Sequence, residues 1–221
     1  MIKLENISKV YQTGTISLEA LKDIDITIKQ GEFISIMGPS GSGKSTLMNI
    51  IGCLDTSSSG SYFLEEENVA GLTFDQLSEV RNRKIGFVFQ SFNLLPYSTA
   101  YENIELPLLY NGKKAKARKQ RVNELLEQVG LLDWALHKPT ELSGGQQQRV
   151  AIARSLVNDP PILLADEPTG NLDSKSGLEI MEIFNGLWKS GKTILMVTHD
   201  PKIADYSERT INLFDGKVVA N

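Results

Sequence analysis

Hydrophobic positions along this chain follow two different rhythms. From Lys3 to Val10, and again from Leu21 to Ile28, apolar and polar residues alternate as in a strand with one wet face. A turn at Gly14 separates the two stretches and Gly31 ends the second, so the first thirty residues predict an antiparallel sheet. Then the pattern changes. Phe33–Met37, Ile85–Phe89, Ile162–Ala165 and Thr193–Thr198 are short, nearly unbroken apolar runs, as strands buried on both faces of a parallel sheet require. Helical spacing fills the intervals, including Lys44–Leu54 and Ser176–Leu187, and this alternation predicts an α/β core.

From about Phe92 to about Val157 the pattern is helical without a good strand. Asn111–Val129 predicts a helix with Val122, Leu125, Leu126 and Val129 on one face and Gly130 as its cap. We expect one domain of 221 residues: a mainly parallel core and an antiparallel β subdomain from about 1–91 and 158–221, with a helical subdomain at about 92–157. Composition excludes little. A net charge of −4 argues against a dedicated nucleic-acid binder. Cys53 is the sole cysteine, so no intrachain disulfide forms and a reducing cytoplasm is expected. Met1 runs straight into an alternating stretch, so no secretory signal is expected. No run approaches the roughly 18 apolar residues of a membrane span.

Chemistry enters at Gly38-Pro39-Ser40-Gly41-Ser42-Gly43-Lys44-Ser45, a full match to G-x-x-x-x-G-K-[ST] between an apolar strand and a helix. Glycines let successive N–H groups turn inward around phosphate oxygens, and the helix start adds partial positive charge. Lys44 is expected on the β- and γ-phosphates, Ser45 on Mg²⁺, and the adjoining Thr46 among the nucleotide contacts. No Asn-Lys-x-Asp stretch that would read guanine is present. A second helix start follows in Leu142-Ser-Gly-Gly-Gln-Gln-Gln-Arg149, where Ser143 and Gln146 form a capping box. Gly144 and Gly145 each cost about 1 kcal/mol in a first helical turn; a close anion would explain them. One nucleotide needs only one such site. Two chains head to tail would hold each nucleotide between one chain's phosphate loop and the other's Ser143 helix.

On these motifs the chain resembles the ATP-binding cassette family along essentially its whole length. Gly38–Asp55 (GPSGSGKSTLMNIIGCLD), Arg81–Pro96 (RNRKIGFVFQSFNLLP) and Leu163–Asp173 (LLADEPTGNLD) resemble the branch that drives lipoprotein release and macrolide or peptide export. The resemblance implies the same fold, a phosphate-loop NTPase core with an antiparallel β subdomain and an inserted helical one. It also implies a cytoplasmic cassette, peripheral on the inner membrane face through a separate permease. Glu65-Glu66-Glu67 departs from it, because the family commonly has a turn glycine there.

The remaining candidates follow the strand ends. Asp166 closes the apolar strand as the Mg²⁺-side carboxylate, and Glu167 is suited to activate the attacking water. Gln90 ends Ile85–Phe89, where its amide can ligand Mg²⁺ or the attacking water; the resemblance makes its loop the link to the permease. The segment Phe92–Tyr97 is apolar for a loop and fits either a docking surface or the core. His199 lies at a strand-to-helix junction opened by Asp200-Pro201, where an imidazole can contact the γ-phosphate and hold Glu167. Tyr11, following the first strand, matches the family aromatic that stacks on adenine. Asp173 matches the loop that meets the partner's phosphate loop. Cys53, on the helix after the phosphate loop, Trp134 and Trp188 read as packing. His137 reads as surface, and the basic run Lys113–Arg121 as a solvated face or a contact with anionic lipid.

The expected reaction is Mg²⁺-dependent hydrolysis of ATP to ADP and phosphate, powering export or membrane release through pairing of two cassettes. A chromosome-organising ATPase would need heptads or a basic face, and a fused translation factor a second phosphate loop. The chain has none of these.

Overall fold

The opening alternation folds into a long hairpin. In the computed structural model of the chain, which describes residues 1–219, β1 (Ile2–Thr13) and β2 (Ile16–Ile28) pair antiparallel. After β3 (Phe33–Met37) and α1 (Lys44–Ile51) the chain returns to that hairpin through β4 (Ser59–Leu64) and β5 (Glu67–Asn68). These complete an antiparallel sheet of order β2-β1-β4-β5. Next come α2 (Phe74–Lys84), β6 (Ile85–Phe89), α3 (Ala100–Leu109), α4 (Ala115–Gln128) and α5 (Gly144–Leu156). The chain then runs through β7 (Ile162–Asp166), α6 (Ser174–Lys189), β8 (Thr193–Val197), α7 (Pro201–Ala204), β9 (Arg209–Phe214) and β10 (Lys217–Val219). The second sheet has order β10-β9-β3-β8-β7-β6 and is parallel except for the β9–β10 hairpin.

The unbroken apolar runs are explained by burial on both faces of this sheet. Successive side chains of a strand point opposite ways. Ile34, Ile36, Leu164, Leu195 and Val197 pack with α1 and the antiparallel sheet, whereas Phe33, Leu163, Ala165, Ile194 and Met196 pack beneath helices α3 to α6. Each such side chain contributes about 1.5–3 kcal/mol by leaving water. Two cores therefore clamp the central strands, and their C-terminal ends become a rigid ledge for chemistry.

Several boundaries differ from the sequence reading. Helix α4 starts at Ala115 rather than Asn111, because Gly112 turns left-handed at φ 63° and Lys114 is extended. Tyr11 lies within β1, which the hairpin prolongs by pairing Tyr11 with Leu18. Cys53 lies beyond α1, past the Gly52 cap, and burial pushes its thiol up to about 11. Trp188 is packing, donating to the Gly31 carbonyl at 2.9 Å. Trp134 remains more than a third exposed beside His137, which is itself half-buried rather than at the surface. Helix α2 was not expected, although Thr73 and Gln76 form a capping box at its start.

Glu65 and Glu66 form the tip of the β4–β5 turn with φ of 49° and 73°. Two successive left-handed residues match the hairpin turn that favours glycine. Glu66→Gly should relieve a left-handed Cβ cost of about 1–2 kcal/mol, partly offset by unfolded-state entropy. Thermal unfolding should show Tm rising by about 2 °C. A fall would contradict this turn.

Candidate active site

Strand β3 delivers the chain into a loop that glycine makes possible. Gly43 has φ 101°, and a Cβ there would stand 2.6 Å from the Ala20 carbonyl oxygen. Helix α1 begins at the next residue, so its free N–H groups face the loop. The Lys44 ammonium donates to the Gly38 and Pro39 carbonyls at 2.7 and 2.8 Å, which holds it across the loop mouth. Ser40, Gly41, Gly43, Lys44, Ser45 and Thr46 line a cavity of about 700 Å³. Gly38, Pro39 and Ser42 are not in its wall. Ser42 is turned inward, and its carbonyl accepts from Gly216 N–H at 3.0 Å.

The acids arrive from the neighbouring strand ends. Asp166 and Glu167 line the same cavity. Burial raises the Asp166 carboxyl above its ordinary range, the Glu167 charge adds to this, and Lys44 opposes it. Glu167 is left-handed at φ 47°, fixed by its N–H to the Val197 carbonyl at 2.9 Å. Such non-glycine geometry persists only where its surroundings enforce it. His199 Nδ1 lies 2.7 Å from Glu167 Oε1. This hydrogen bond and the Glu167 charge raise the imidazole pKa, although the side chain is 74% exposed. Asp200 and Pro201 open α7 as expected. Gln90 also lines the cavity, gripped by Asn171: its backbone carbonyl accepts from Asn171 Nδ2 at 3.0 Å.

The second helix start stands apart. Ser143, Gly144, Gly145 and Gln146 do not line the cavity. Ser143 Oγ accepts from Gln146 N–H at 3.3 Å, and Gln146 Oε1 from Ser143 N–H at 2.8 Å, so the capping box forms. Gly145 has a reason beyond anion access: it is buried, and a Cβ there would meet Ser176 Oγ at 3.0 Å. Asp173 also lies outside the cavity and caps α6, accepting from the Lys175 and Ser176 N–H groups at 3.1 and 3.0 Å. These bonds, Ser176 first, hold its carboxyl low.

The cavity is also lined by Tyr11, by Leu18, Glu19, Ala20 and Lys22 of β2, and by Asp215 and Gly216 of the last hairpin turn. Of these only Tyr11 was singled out by sequence. The Asp-Gly pair was a readable turn signal, but its place beside the phosphate loop depends on the sheet order. The loop after Gln90 divides by residue. Leu94 is half-buried in the second core, whereas Leu95 and Tyr97 are exposed. Arg154 fixes the loop by donating to the Phe92 and Asn93 carbonyls at 2.8 and 2.6 Å.

A glycine-rich loop between strand and helix, with two acids and a histidine at the C-terminal ends of neighbouring strands, defines a phosphate-loop nucleotide-binding protein. Residues 21–170 match the sequence pattern of the ABC transporter family, and the chain belongs to that family as an ATP-binding, ATP-hydrolysing cassette. It is 55% identical to YvrO, an ABC transporter ATP-binding protein of Bacillus subtilis, across 99% of this chain and 96% of that one. It is 48% identical to the macrolide export ATP-binding/permease protein MacB of Brucella melitensis, across 100% of this chain but 34% of the relative. It is also similar to the cassette MJ0796 of Methanocaldococcus jannaschii, solved as a post-hydrolysis dimer bound to ADP and Pi. That match has a TM-score of 0.92 at 50% identity and covers 100% of this chain and 97% of the other.

Proposed function

We propose that two copies of this chain close head to tail over two ATP molecules, and that closure and hydrolysis drive a separate membrane permease in export or membrane release. One observation carries the reading: Ser143, the cap of the second helix start, is exposed and lies outside the cavity that holds Lys44. The chain thus has an anion-binding element with no phosphate of its own to meet. The MJ0796 cassette is a dimer with ADP and Pi, and MacB joins ATP-binding and permease parts, which supports the same arrangement here.

Within each site, Lys44 and the start of α1 hold the β- and γ-phosphates, and Gly38 to Thr46 shape the cradle. Ser45, Asp166 and Gln90 line the cavity together and offer the hard oxygen donors that suit Mg²⁺. Bound Mg²⁺ supplies charge that neutralises the phosphate oxygens in the transition state. Glu167 accepts the proton of the attacking water, and His199 fixes the carboxylate through Nδ1. Tyr11 stacks on the base. Ser143, Gly144, Gly145 and Gln146 approach the partner's γ-phosphate, with Asp173 near the partner's phosphate loop.

The helical stretch of about 92–157 acts as a subdomain that carries Ser143 and receives the permease, keeping the cassette peripheral on the inner membrane face. Among the described residues no helix is long and apolar enough to cross a membrane. Leu95, 45% exposed in the loop that follows Gln90, is the test position. Leu95→Asp should leave ATPase activity of the purified chain within about two-fold, since surface changes typically shift energies by less than 0.5 kcal/mol. Permease-stimulated turnover should be lost. Undiminished stimulation would place the docking surface elsewhere.

A further inference from the structure

The aromatic wall of the cavity stands on an ion pair that the hydrolysis scheme leaves unused. Lys9 and Tyr11 are two residues apart on β1 and so share a face. Register shifts on either side of Lys9 interrupt the β1–β2 ladder, and such irregularities re-aim side chains. Lys9 is turned inward at 9% exposure, with its ammonium 4.9 Å from the centre of the Tyr11 ring. It donates to Asp55 Oδ1 at 2.7 Å and to the Thr56 carbonyl at 2.6 Å. The Tyr11 hydroxyl donates to the other oxygen of that carboxylate, Asp55 Oδ2, at 2.8 Å. Asp55 hangs from the end of α1, its N–H bonded to the Asn49 carbonyl at 3.2 Å. The segment behind is fastened to β1 by Ser58 N–H to the Ser8 carbonyl at 2.8 Å and Val10 N–H to Ser58 Oγ at 3.0 Å.

We infer that Lys9 and Asp55 are positioning residues for the nucleotide base, acting through the Tyr11 ring. This rests on the reading of Tyr11 as the base platform. A ring free to rotate loses entropy when a base stacks on it, and a ring already held loses little. The carboxylate fixes the hydroxyl end of Tyr11. The ammonium draws ring electron density toward itself, leaving the outer face suited to an electron-rich purine. Burial works to raise the Asp55 carboxyl, but hydrogen bonds from Lys9, Tyr11 and Thr56 outweigh it and keep it low, so the clamp is ionic. Because Asp55 follows α1 and Lys44 opens it, one helix sets the spacing between base platform and phosphate cradle.

Equilibrium titration of the full chain with ATP, and separately with tripolyphosphate, tests this. Tyr11→Ala should weaken ATP by at least about ten-fold and leave tripolyphosphate unchanged, as loss of a whole stacking platform predicts. Tyr11→Phe keeps the ring and the fold but frees the hydroxyl end. It should weaken ATP by about three- to ten-fold, less than a whole charge-assisted hydrogen bond because the base feels only the loosened ring, again sparing tripolyphosphate. Lys9→Met should do the same, and the double variant should be no worse than the larger single change, since both act through one ring. An unaltered ATP affinity in Tyr11→Ala would overturn the platform reading and this inference together. A weakened Tyr11→Ala with wild-type Tyr11→Phe would leave the platform standing and overturn the inference. Equal losses for both ligands in Tyr11→Phe would reduce the clamp to a structural role and overturn it too.

Discussion

Lys44→Ala should lose ATP affinity by about 100-fold or more, which corresponds to about 2.7 kcal/mol. The side chain occupies the mouth of the phosphate loop and its ammonium is held there by the Gly38 and Pro39 carbonyls. Alanine removes a charge-assisted contact at the point where phosphate charge is greatest. It also removes a charge that opposes the rise of the Asp166 carboxyl. Asp166 would then hold its proton to higher pH, weakening the oxygen set proposed for Mg²⁺. Isothermal titration with ATP, alongside a thermal melt to confirm folding, reads the effect. A folded variant with wild-type affinity would mean that the phosphates do not bind at this loop.

Ser143→Arg should have the opposite profile. Ser143 caps α5 and is exposed outside the nucleotide cavity. Losing the cap costs about 1 kcal/mol of stability, and ATP affinity of the single chain should stay within about three-fold, below 1 kcal/mol. Turnover should fall by at least about 100-fold, because a bulky side chain at the second helix start blocks closure on the partner's phosphates. Steady-state ATPase assays over a range of chain concentrations measure it. Wild-type turnover would show that hydrolysis needs no second chain.

What the sequence revealed and what it withheld follow the range of the interactions. The phosphate loop and the Ser143 capping box are contiguous, so strand, loop, cap and helix could be read from neighbouring residues. His199 could be placed because an apolar run ends just before it and Asp200-Pro201 opens a helix just after. Residues brought in by topology carried no local mark. Asp215 and Gly216 reach the cavity only because β9 pairs with β3, and Leu18, Glu19, Ala20 and Lys22 only because the first hairpin folds over the loop. The tight contact of Gly145 with Ser176 likewise needs α5 and α6 side by side. Tyr11 was assigned by resemblance alone; its support by Lys9 and Asp55 required three dimensions.

The two-chain site is the centre of this account, and Glu167→Gln tests it most directly. The amide removes the base, and with it a negative charge close to where the γ-phosphate would lie, so ATP should be bound but not consumed. Size-exclusion chromatography with light scattering, with and without ATP and Mg²⁺, should show Glu167→Gln at twice the monomer mass only with ATP. Adding Ser143→Arg to that chain should return it to monomer. A Glu167→Gln chain that stays monomeric in saturating ATP would contradict the head-to-tail site.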